Sequence, residues 1–178
     1  MKPKVISTET IYEGRIFDLQ IAEIREGASE YKREIVIHHG SAVIVPVFAD
    51  NTIALVRQYR HAAQKYLLEI PAGTLDKDES PEAGARREVE EEIGVVAGKI
   101  EKLTEFYVSP GFLTEKMHVF LATDLSESKQ NLDDDEFLSI EKFTFSEAFE
   151  MIKNGGIEDA KTIIGIVTAG AKLGFIYK

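Results

Sequence analysis

Alternating apolar and polar residues predict strands in the N-terminal third of the chain. This alternation is the period of a half-buried strand. Residues 42–48 are instead almost continuously apolar and β-branched, which is typical of a strand buried on both faces. Glycine, aspartate and asparagine mark turns between these segments, at 26–29 and 50–51. The predicted strands are 16–24, 31–38, 42–48 and 52–57.

From Ser80 the periodicity becomes that of a helix. The Ser80 side chain can cap the first turn, and Pro81 suits the first helical position because its missing N–H costs nothing there. Ala85 and Val89 are four residues apart and begin an apolar stripe. Gly94 can end the helix in the left-handed conformation. The pattern therefore predicts one amphipathic helix over 81–93.

The rest of the chain predicts three strands followed by two helices. The predicted strands are about 100–108, 116–124 and 137–143; the predicted helices are 147–153, capped by Ser146 and closed by Gly155, and a second from Asp159 to about Leu173. Strands mixed with helices indicate an α/β or α+β fold. We expect a small antiparallel sheet in residues 1–40 and the main domain in residues 41–178, since Gly40 precedes the first strongly buried strand.

Composition excludes several classes of function. The chain has 178 residues, of which 44% are hydrophobic, enough for one globular domain. It has no cysteine, which excludes disulfides, thiolate metal sites and a cysteine nucleophile. A net charge of -10 argues against a nucleic-acid binder. The sequence contains neither a long apolar run nor the apolar core of a signal peptide, so we expect a cytoplasmic protein that makes no membrane contact.

Three glutamates stand out on the predicted helix. Glu88, Glu91 and Glu92 are spaced to share one face, which we expect to lie opposite the stripe of Ala85 and Val89. Like charges at this spacing destabilise an isolated helix by roughly 0.2–0.5 kcal/mol per pair, so the cluster calls for a counterion. Hard oxygen ligands of this kind suit Mg²⁺ or Mn²⁺. The alternative is a solvated acidic face that binds nothing.

The segment around these glutamates resembles the Nudix box. Residues 73–95 contain a glycine, five residues, a glutamate, seven residues, and then Arg-Glu-apolar-any-Glu-Glu-any-Gly-apolar. The chain is therefore similar to the Nudix hydrolases over most of its length. This resemblance implies an α/β/α sandwich with a mixed sheet, and hydrolysis of a nucleoside diphosphate linked to another group.

The resemblance also implies roles for residues of the box. Glu88, Glu91 and Glu92, with the backbone carbonyl of Ala72, would bind two or three Mg²⁺ ions, with Mn²⁺ as the alternative. Arg87 would orient the cluster; it stands four residues before Glu91 and could hold that carboxylate in place. In the same way, Glu79 would support the preceding loop.

Substrate class depends on residues outside the box. Residues 109–111, Ser-Pro-Gly, resemble a marker of ADP-ribose pyrophosphatases, and Glu115 stands at a position that faces the substrate in that subfamily. ADP-ribose hydrolysis to AMP and ribose 5-phosphate is therefore expected. Enzymes acting on GDP-mannose can carry a similar marker, so another nucleoside diphosphate sugar is the first alternative. A regulator that binds a nucleotide sugar without turnover is the second.

Further candidates would contact the substrate. Arg60 and Arg33 could pair with the diphosphate, because guanidinium binds phosphate oxygens bidentately; the alternative for each is a surface arginine. Glu69 could contact a ribose, and Gly111 and Glu115 would line the substrate site by resemblance to the subfamily.

The general base and the oligomeric state also come from the resemblance. The acidic run 133–136 matches a loop that supplies the base in ADP-ribose pyrophosphatases. Glu136 is the first candidate and Asp135 the next, while Glu91 competes with both. Members of this subfamily are dimers whose N-terminal sheets reach the partner subunit, so a homodimer is expected.

Overall fold

The computed structural model describes residues 2–134 and 136–175 of the chain. Ten strands and three helices follow one another in this order: β1 Lys4–Glu13, β2 Asp18–Glu26, β3 Ser29–Ile37, β4 Ser41–Pro46, β5 Thr52–Arg60, β6 Lys65–Glu69, β7 Ala72–Thr74, α1 Pro81–Ile93, β8 Val95–Tyr107, β9 Lys116–Glu127, β10 Leu138–Thr144, α2 Phe145–Asn154 and α3 Ala160–Leu173. These elements form two compact units. The first unit comprises the chain up to Gly40 together with Phe106–Met117, and the second comprises the other described residues.

The first unit is built on a three-stranded antiparallel sheet in the order β1-β2-β3. Gly27 adopts a positive φ of 61° in the turn between β2 and β3, where a side chain would be strained. The segment Phe106–Met117 joins this unit through the pairing of Val36 with Leu113. Sequence periodicity assigned only residues 1–40 to this region, because a contact between distant segments leaves no local pattern.

The second unit contains two sheets, β10-β5-β6 and β7-β4-β9-β8. Every residue of β4 is buried, as the apolar run predicts. Helix α1 packs against β4, β5 and β7, while α3 packs against β4 and β6. This mixture of sheets and helices confirms the predicted α/β class. The core beneath α1 is apolar and includes Ile44, Val56, Ala85, Val89 and Phe120.

Helix ends follow the capping chemistry of the sequence, with one correction. Ser80 caps α1 and Gly94 ends it, as predicted. Ser146 was predicted to cap α2, which is wrong. Thr144 is the N-cap: its hydroxyl accepts from the Glu147 N–H, and the Glu147 carboxylate accepts from the Thr144 N–H. This reciprocal capping box satisfies two backbone donors, so the helix begins two residues earlier than predicted.

Strands β6 and β7 were not predicted. β7 has only three residues, Ala-Gly-Thr, which are too few to show alternation. It forms by pairing with β4, where Ala42 lies opposite Gly73 and Val43 opposite Ala72. Tertiary pairing therefore decides the conformation of the residues that enter the predicted box.

Among the described residues, no helix has the length and apolarity that crossing a bilayer demands. α3 is capped by Asp159 as predicted and ends at Gly174 in the left-handed conformation.

Candidate active site

Two of the three box glutamates lie on the buried side of α1. Glu88 is 7% exposed and Glu92 is 3% exposed, close to the fully buried Val89. The expectation that the glutamates face away from the stripe of Ala85 and Val89 is therefore wrong. Neighbouring residues of a helix are about 100° apart, so Glu88 cannot lie opposite Val89.

Strand β7 approaches this pair of carboxylates closely. The Ala72 N–H donates to Glu92 Oε2 at 3.2 Å. A Cβ atom built on Gly73 would meet Glu88 Oε1 at 1.8 Å, so only glycine leaves room for that carboxylate. The first glycine of the box thus has a steric role: its missing side chain gives Glu88 its place between α1 and β7.

Arg87 joins the carboxylates to the loop that precedes the helix. Its Nη1 donates to Glu88 Oε1 at 2.6 Å and to Glu91 Oε2 at 3.0 Å. Its Nε and Nη2 donate to the two oxygens of Glu79 at 3.0 and 2.9 Å. Glu79 Oε2 also accepts from the Asp76 N–H. These are the contacts expected if Arg87 orients the cluster and Glu79 supports the loop.

Burial gives Glu88 and Glu92 unusual acidity. It raises the pKa of Glu88 to about 7, although the Arg87 charge opposes the shift. Burial, with the charges of Glu88 and Glu136, raises the pKa of Glu92 to about 8. Without a further cation, burial favours the protonated forms of these two carboxyl groups near neutral pH.

These residues fit a divalent cation. The donors are carboxylate oxygens, which Mg²⁺ prefers, and burial raises the pKa values of Glu88 and Glu92, so a bound cation would stabilise their charged forms. No group of three acidic or imidazole side chains within the described residues is arranged as a ready-made cage. Glu88 and Glu91 hydrogen-bond to Arg87 instead. Mg²⁺ commonly binds through one or two carboxylates and completes its coordination with water and substrate phosphates.

Arg60 lies at the same site and is paired with Glu69. Its Nε and Nη2 donate to the two Glu69 oxygens at 2.7 and 2.6 Å. The hydrogen bond to Glu69 raises the pKa of Arg60, and the charge of Glu92 raises it further, which places Arg60 within electrostatic reach of the box. Glu69 is 1% exposed, so its predicted contact with a ribose would have to compete with these bonds.

Glu136 lies within electrostatic reach of the box. Its charge raises the pKa of both Glu88 and Glu92. It lines a surface cavity of about 360 Å³ together with Tyr66 and Phe137, two residues that sequence reasoning did not identify. The other candidate of this loop, Asp135, lies outside the described residues.

The remaining candidates belong to the first unit. The Arg33 guanidinium lies over the Tyr31 ring, 4.3 Å from its centroid. Glu115 Oε1 is 3.9 Å from His38 Nδ1. A Cβ atom built on Gly111 would meet no atom within 4 Å. The proposed substrate contacts of these residues stay predictions.

The sequence is similar to those of several characterised proteins. It is 40% identical over 169 residues to an ADP-ribose pyrophosphatase of Bacillus subtilis, covering 93% of this chain and 91% of that one. It is 40% identical over 166 residues to a methanol dehydrogenase activator of Bacillus methanolicus, covering 92% and 90%. A GDP-mannose pyrophosphatase of Escherichia coli is 37% identical over 144 residues, with 75% of each chain covered.

Fold similarity agrees with sequence similarity. The crystal structure of an ADP compounds hydrolase superposes with a TM-score of 0.86, covering 99% of this chain and 98% of that one at 21% identity. A NUDIX domain family model matches residues 38–164, which include the box and its flanking strands. The resemblance seen in the box is confirmed, and the chain belongs to the NUDIX family.

Proposed function

We propose that this protein hydrolyses the pyrophosphate bond of ADP-ribose, yielding AMP and ribose 5-phosphate, with Mg²⁺ as cofactor. The observation that carries the proposal is the buried pair Glu88 and Glu92, which lies against the Ala72–Gly73 backbone and of which only Glu88 has an ion-pair partner, Arg87. The 40% identity to an ADP-ribose pyrophosphatase supports the choice of substrate.

The proposed metal ligands are Glu88, Glu91, Glu92 and the carbonyl of Ala72, with two or three ions and Mn²⁺ as the alternative metal. When bound, such ions neutralise the diphosphate and make water a stronger acid. Arg87 keeps Glu88 and Glu91 in reach of the site through hydrogen bonds of 2.6 and 3.0 Å. The arginine is thus proposed to hold these side chains ready between turnovers.

Arg60 is proposed to bind the diphosphate. Its Nε and Nη2 are engaged by Glu69. Nη1 has no partner in residues 2–134 and 136–175, so it can donate to a phosphate oxygen. Its side chain is 40% exposed, which leaves it accessible to a ligand. A charge-assisted hydrogen bond of this kind is among the stronger contacts a protein makes with an anion.

Glu136 is proposed to accept the proton of the attacking water. Its charge acts on both Glu88 and Glu92, and it lines a surface cavity. General bases typically contribute about 10²–10⁴-fold to rate. Glu91, which is less buried than Glu88 and Glu92, is the second candidate for this role.

The first unit is proposed to form a homodimer and to help recognise the nucleotide through Arg33, Gly111 and Glu115. All ten residues of β1 are exposed, yet several are apolar, including Val5 at 60% and Ile11 at 50% exposure. Such residues on an uncovered sheet favour association with a second copy. Removing residues 1–40 should convert a dimer to a monomer in light scattering; a dimer that persisted would contradict this.

A substrate panel tests the proposed activity. ADP-ribose, GDP-mannose, ADP-glucose and NADH are each incubated with the protein and Mg²⁺, and phosphate is measured after phosphatase treatment. We expect the highest turnover with ADP-ribose and none when EDTA is present. If none of the four compounds released more phosphate than a protein-free blank, the proposal would be contradicted. Faster turnover of GDP-mannose would favour the first alternative, which the similarity to a GDP-mannose pyrophosphatase supports.

The second candidate function is regulatory. One relative is named a methanol dehydrogenase activator, so a protein that acts on a partner enzyme has support among similar chains. Binding of ADP-ribose without release of AMP would favour this candidate. A cytoplasmic location stays a prediction from the sequence.

A further inference from the structure

A second buried charged network lies at the first turn of α3. Lys161 has a side chain only 10% exposed, and its Nζ contacts Glu69 Oε2 and lies 3.1 Å from Asp159 Oδ2. Glu69 in turn binds Arg60 through both carboxylate oxygens. The four side chains alternate in sign from Asp159 to Arg60 and sum to zero charge, in a protein whose net charge is -10.

The same turn also holds the backbone that leads into the box. Thr162 Oγ1 accepts from the Ile70 N–H at 2.9 Å and donates to Asp159 Oδ2 at 2.6 Å. Gly165, one turn later, packs so closely that a Cβ there would meet Ile70 Cδ1 at 2.4 Å. The start of α3 therefore fixes both the side chain of Glu69 and the backbone of the residue after it.

We propose that Lys161 is a positioning residue for the diphosphate: by sharing Glu69 with Arg60, it holds the Arg60 guanidinium at the box and keeps the surrounding charge neutral. This inference rests on the proposed function, because it assigns Arg60 an anionic ligand. Lys161 does not itself touch the substrate. Its action passes through Glu69, whose second oxygen it shares with Arg60 Nη2.

The charge balance explains why a lysine is needed at position 161. Without Lys161, Asp159 and Glu69 would leave the quartet with a net charge of -1 beside the carboxylates of the box. A diphosphate would then meet additional repulsion, which falls slowly with distance in a partly buried site. Glu69 would also lose the contact that helps to hold it in one orientation, and Arg60 would lose a fixed partner.

The test is a double-mutant cycle between Lys161 and Arg60. The KM and kcat for ADP-ribose with Mg²⁺, and the Kd for ADP-ribose with EDTA, are measured for the wild type, Lys161→Met, Arg60→Ala and the double variant. We expect Lys161→Met to raise KM and Kd roughly 10-fold while kcat changes less than about 3-fold. In the Arg60→Ala background the same change should raise KM and Kd by clearly less than 10-fold, because the part of its effect that passes through Arg60 is already lost and only the added negative charge remains.

A matched control uses another lysine of the same helix. Lys172 forms an exposed ion pair with Glu101 at 3.0 Å, so Lys172→Met should leave KM and Kd unchanged. Thermal unfolding of each variant reports any loss of stability, which by itself would lower the active fraction and kcat but not change KM.

The outcomes separate this inference from the proposed function. If the wild type hydrolyses ADP-ribose but the Lys161 and Arg60 effects on KM simply multiply, the positioning role is overturned. If the wild type releases no AMP, the proposed function fails, and the Kd values still decide between coupled and independent effects. A wild type that neither hydrolyses nor binds ADP-ribose overturns both.

Discussion

Two buried carboxylates of the second unit, Glu69 and Glu92, show opposite acid–base behaviour. Their exposures are nearly equal, at 1% and 3%. Burial alone would raise the pKa of Glu69, but hydrogen bonds and charge from Arg60 and Lys161 hold it below its usual range. Burial and the charges of Glu88 and Glu136 raise the pKa of Glu92 to about 8. Equal burial therefore has opposite consequences, depending on the charges that surround the carboxylate.

The two sites therefore differ in how their charge is balanced: residues of the protein balance Glu69, whereas the site of Glu88 and Glu92 is proposed to bind a ligand. An uncompensated buried charge is costly, so a folded chain either pairs it or leaves it protonated. Glu69 is paired with two cations of its own chain. Glu88 and Glu92 together share one arginine contact, that of Glu88 with Arg87. We therefore propose α1 as the place where a cation from solution binds.

The largest expected effect comes from removing the charge of Glu92, which forms no ion pair among the described residues. Glu92→Gln keeps the shape of the side chain and an oxygen that can accept from the Ala72 N–H, but removes the charge proposed to bind metal. We expect kcat for ADP-ribose to fall at least 100-fold, about 2.7 kcal/mol, with the fold intact. Steady-state kinetics with Mg²⁺ and circular dichroism measure the two quantities.

Glu90 provides the matched control for this change. It stands on the exposed side of the same helix and accepts from Ser128 Oγ at 2.7 Å. Glu90→Gln should leave kcat within about twofold, since an exposed, solvent-screened charge contributes little. Retention of activity in Glu92→Gln would show that the metal assignment is wrong.

A smaller effect, on stability, is expected from removing the charge of Glu69 from its network with Arg60 and Lys161. Glu69→Gln leaves Lys161 and Arg60 without their shared anion. Removing one partner of a fully buried pair costs about 3–5 kcal/mol. Arg60 is 40% exposed and regains some hydration, so we expect a loss of about 2 kcal/mol in the free energy of unfolding by urea.

The Arg57–Glu141 pair tests whether burial causes that loss. These side chains are 41% and 34% exposed, and Glu141→Gln should cost less than about 1 kcal/mol. Equal losses for Glu69→Gln and Glu141→Gln would mean that the network beside α3 is no stronger than a surface pair.

Sequence analysis predicted the cluster of box glutamates but not the network of Glu69 and Lys161. The box has a fixed spacing within 23 residues, so Glu88, Glu91 and Glu92 could be placed on one helix and Arg87 beside them. The network of Glu69 and Lys161 joins residues 92 positions apart in the chain. No local periodicity reports such a contact, and Lys161 alone resembles any lysine in the first turn of a helix.

Fold prediction had the same limit. Helices with strong caps, α1 and α3, were predicted closely because Ser80 and Asp159 act within one turn. Strand β7 depends on pairing with β4, and the approach of Gly73 to Glu88 depends on both β7 and α1. Local chemistry is visible in a sequence, whereas pairing between distant segments requires the folded chain.

The smallest expected effect is the pH dependence of stability in the metal-free protein. The folded-state pKa of Glu92, about 8, lies above its ordinary value of 4.5, so the folded protein retains a proton that the unfolded chain releases. Its contribution is complete below pH 4.5 and is lost as the pH rises towards 8. Glu69 behaves oppositely: its lowered pKa contributes stability above pH 4.5 that is lost as the pH falls.

With EDTA present, we expect the wild type to lose at least about 1 kcal/mol between pH 5 and 8 relative to Glu92→Gln, which cannot titrate there. Urea unfolding of both proteins across this range measures the difference, and Mg²⁺ should abolish it by replacing the proton. A difference that stayed constant with pH would mean that Glu92 is already compensated within the chain, and the contrast with Glu69 would disappear.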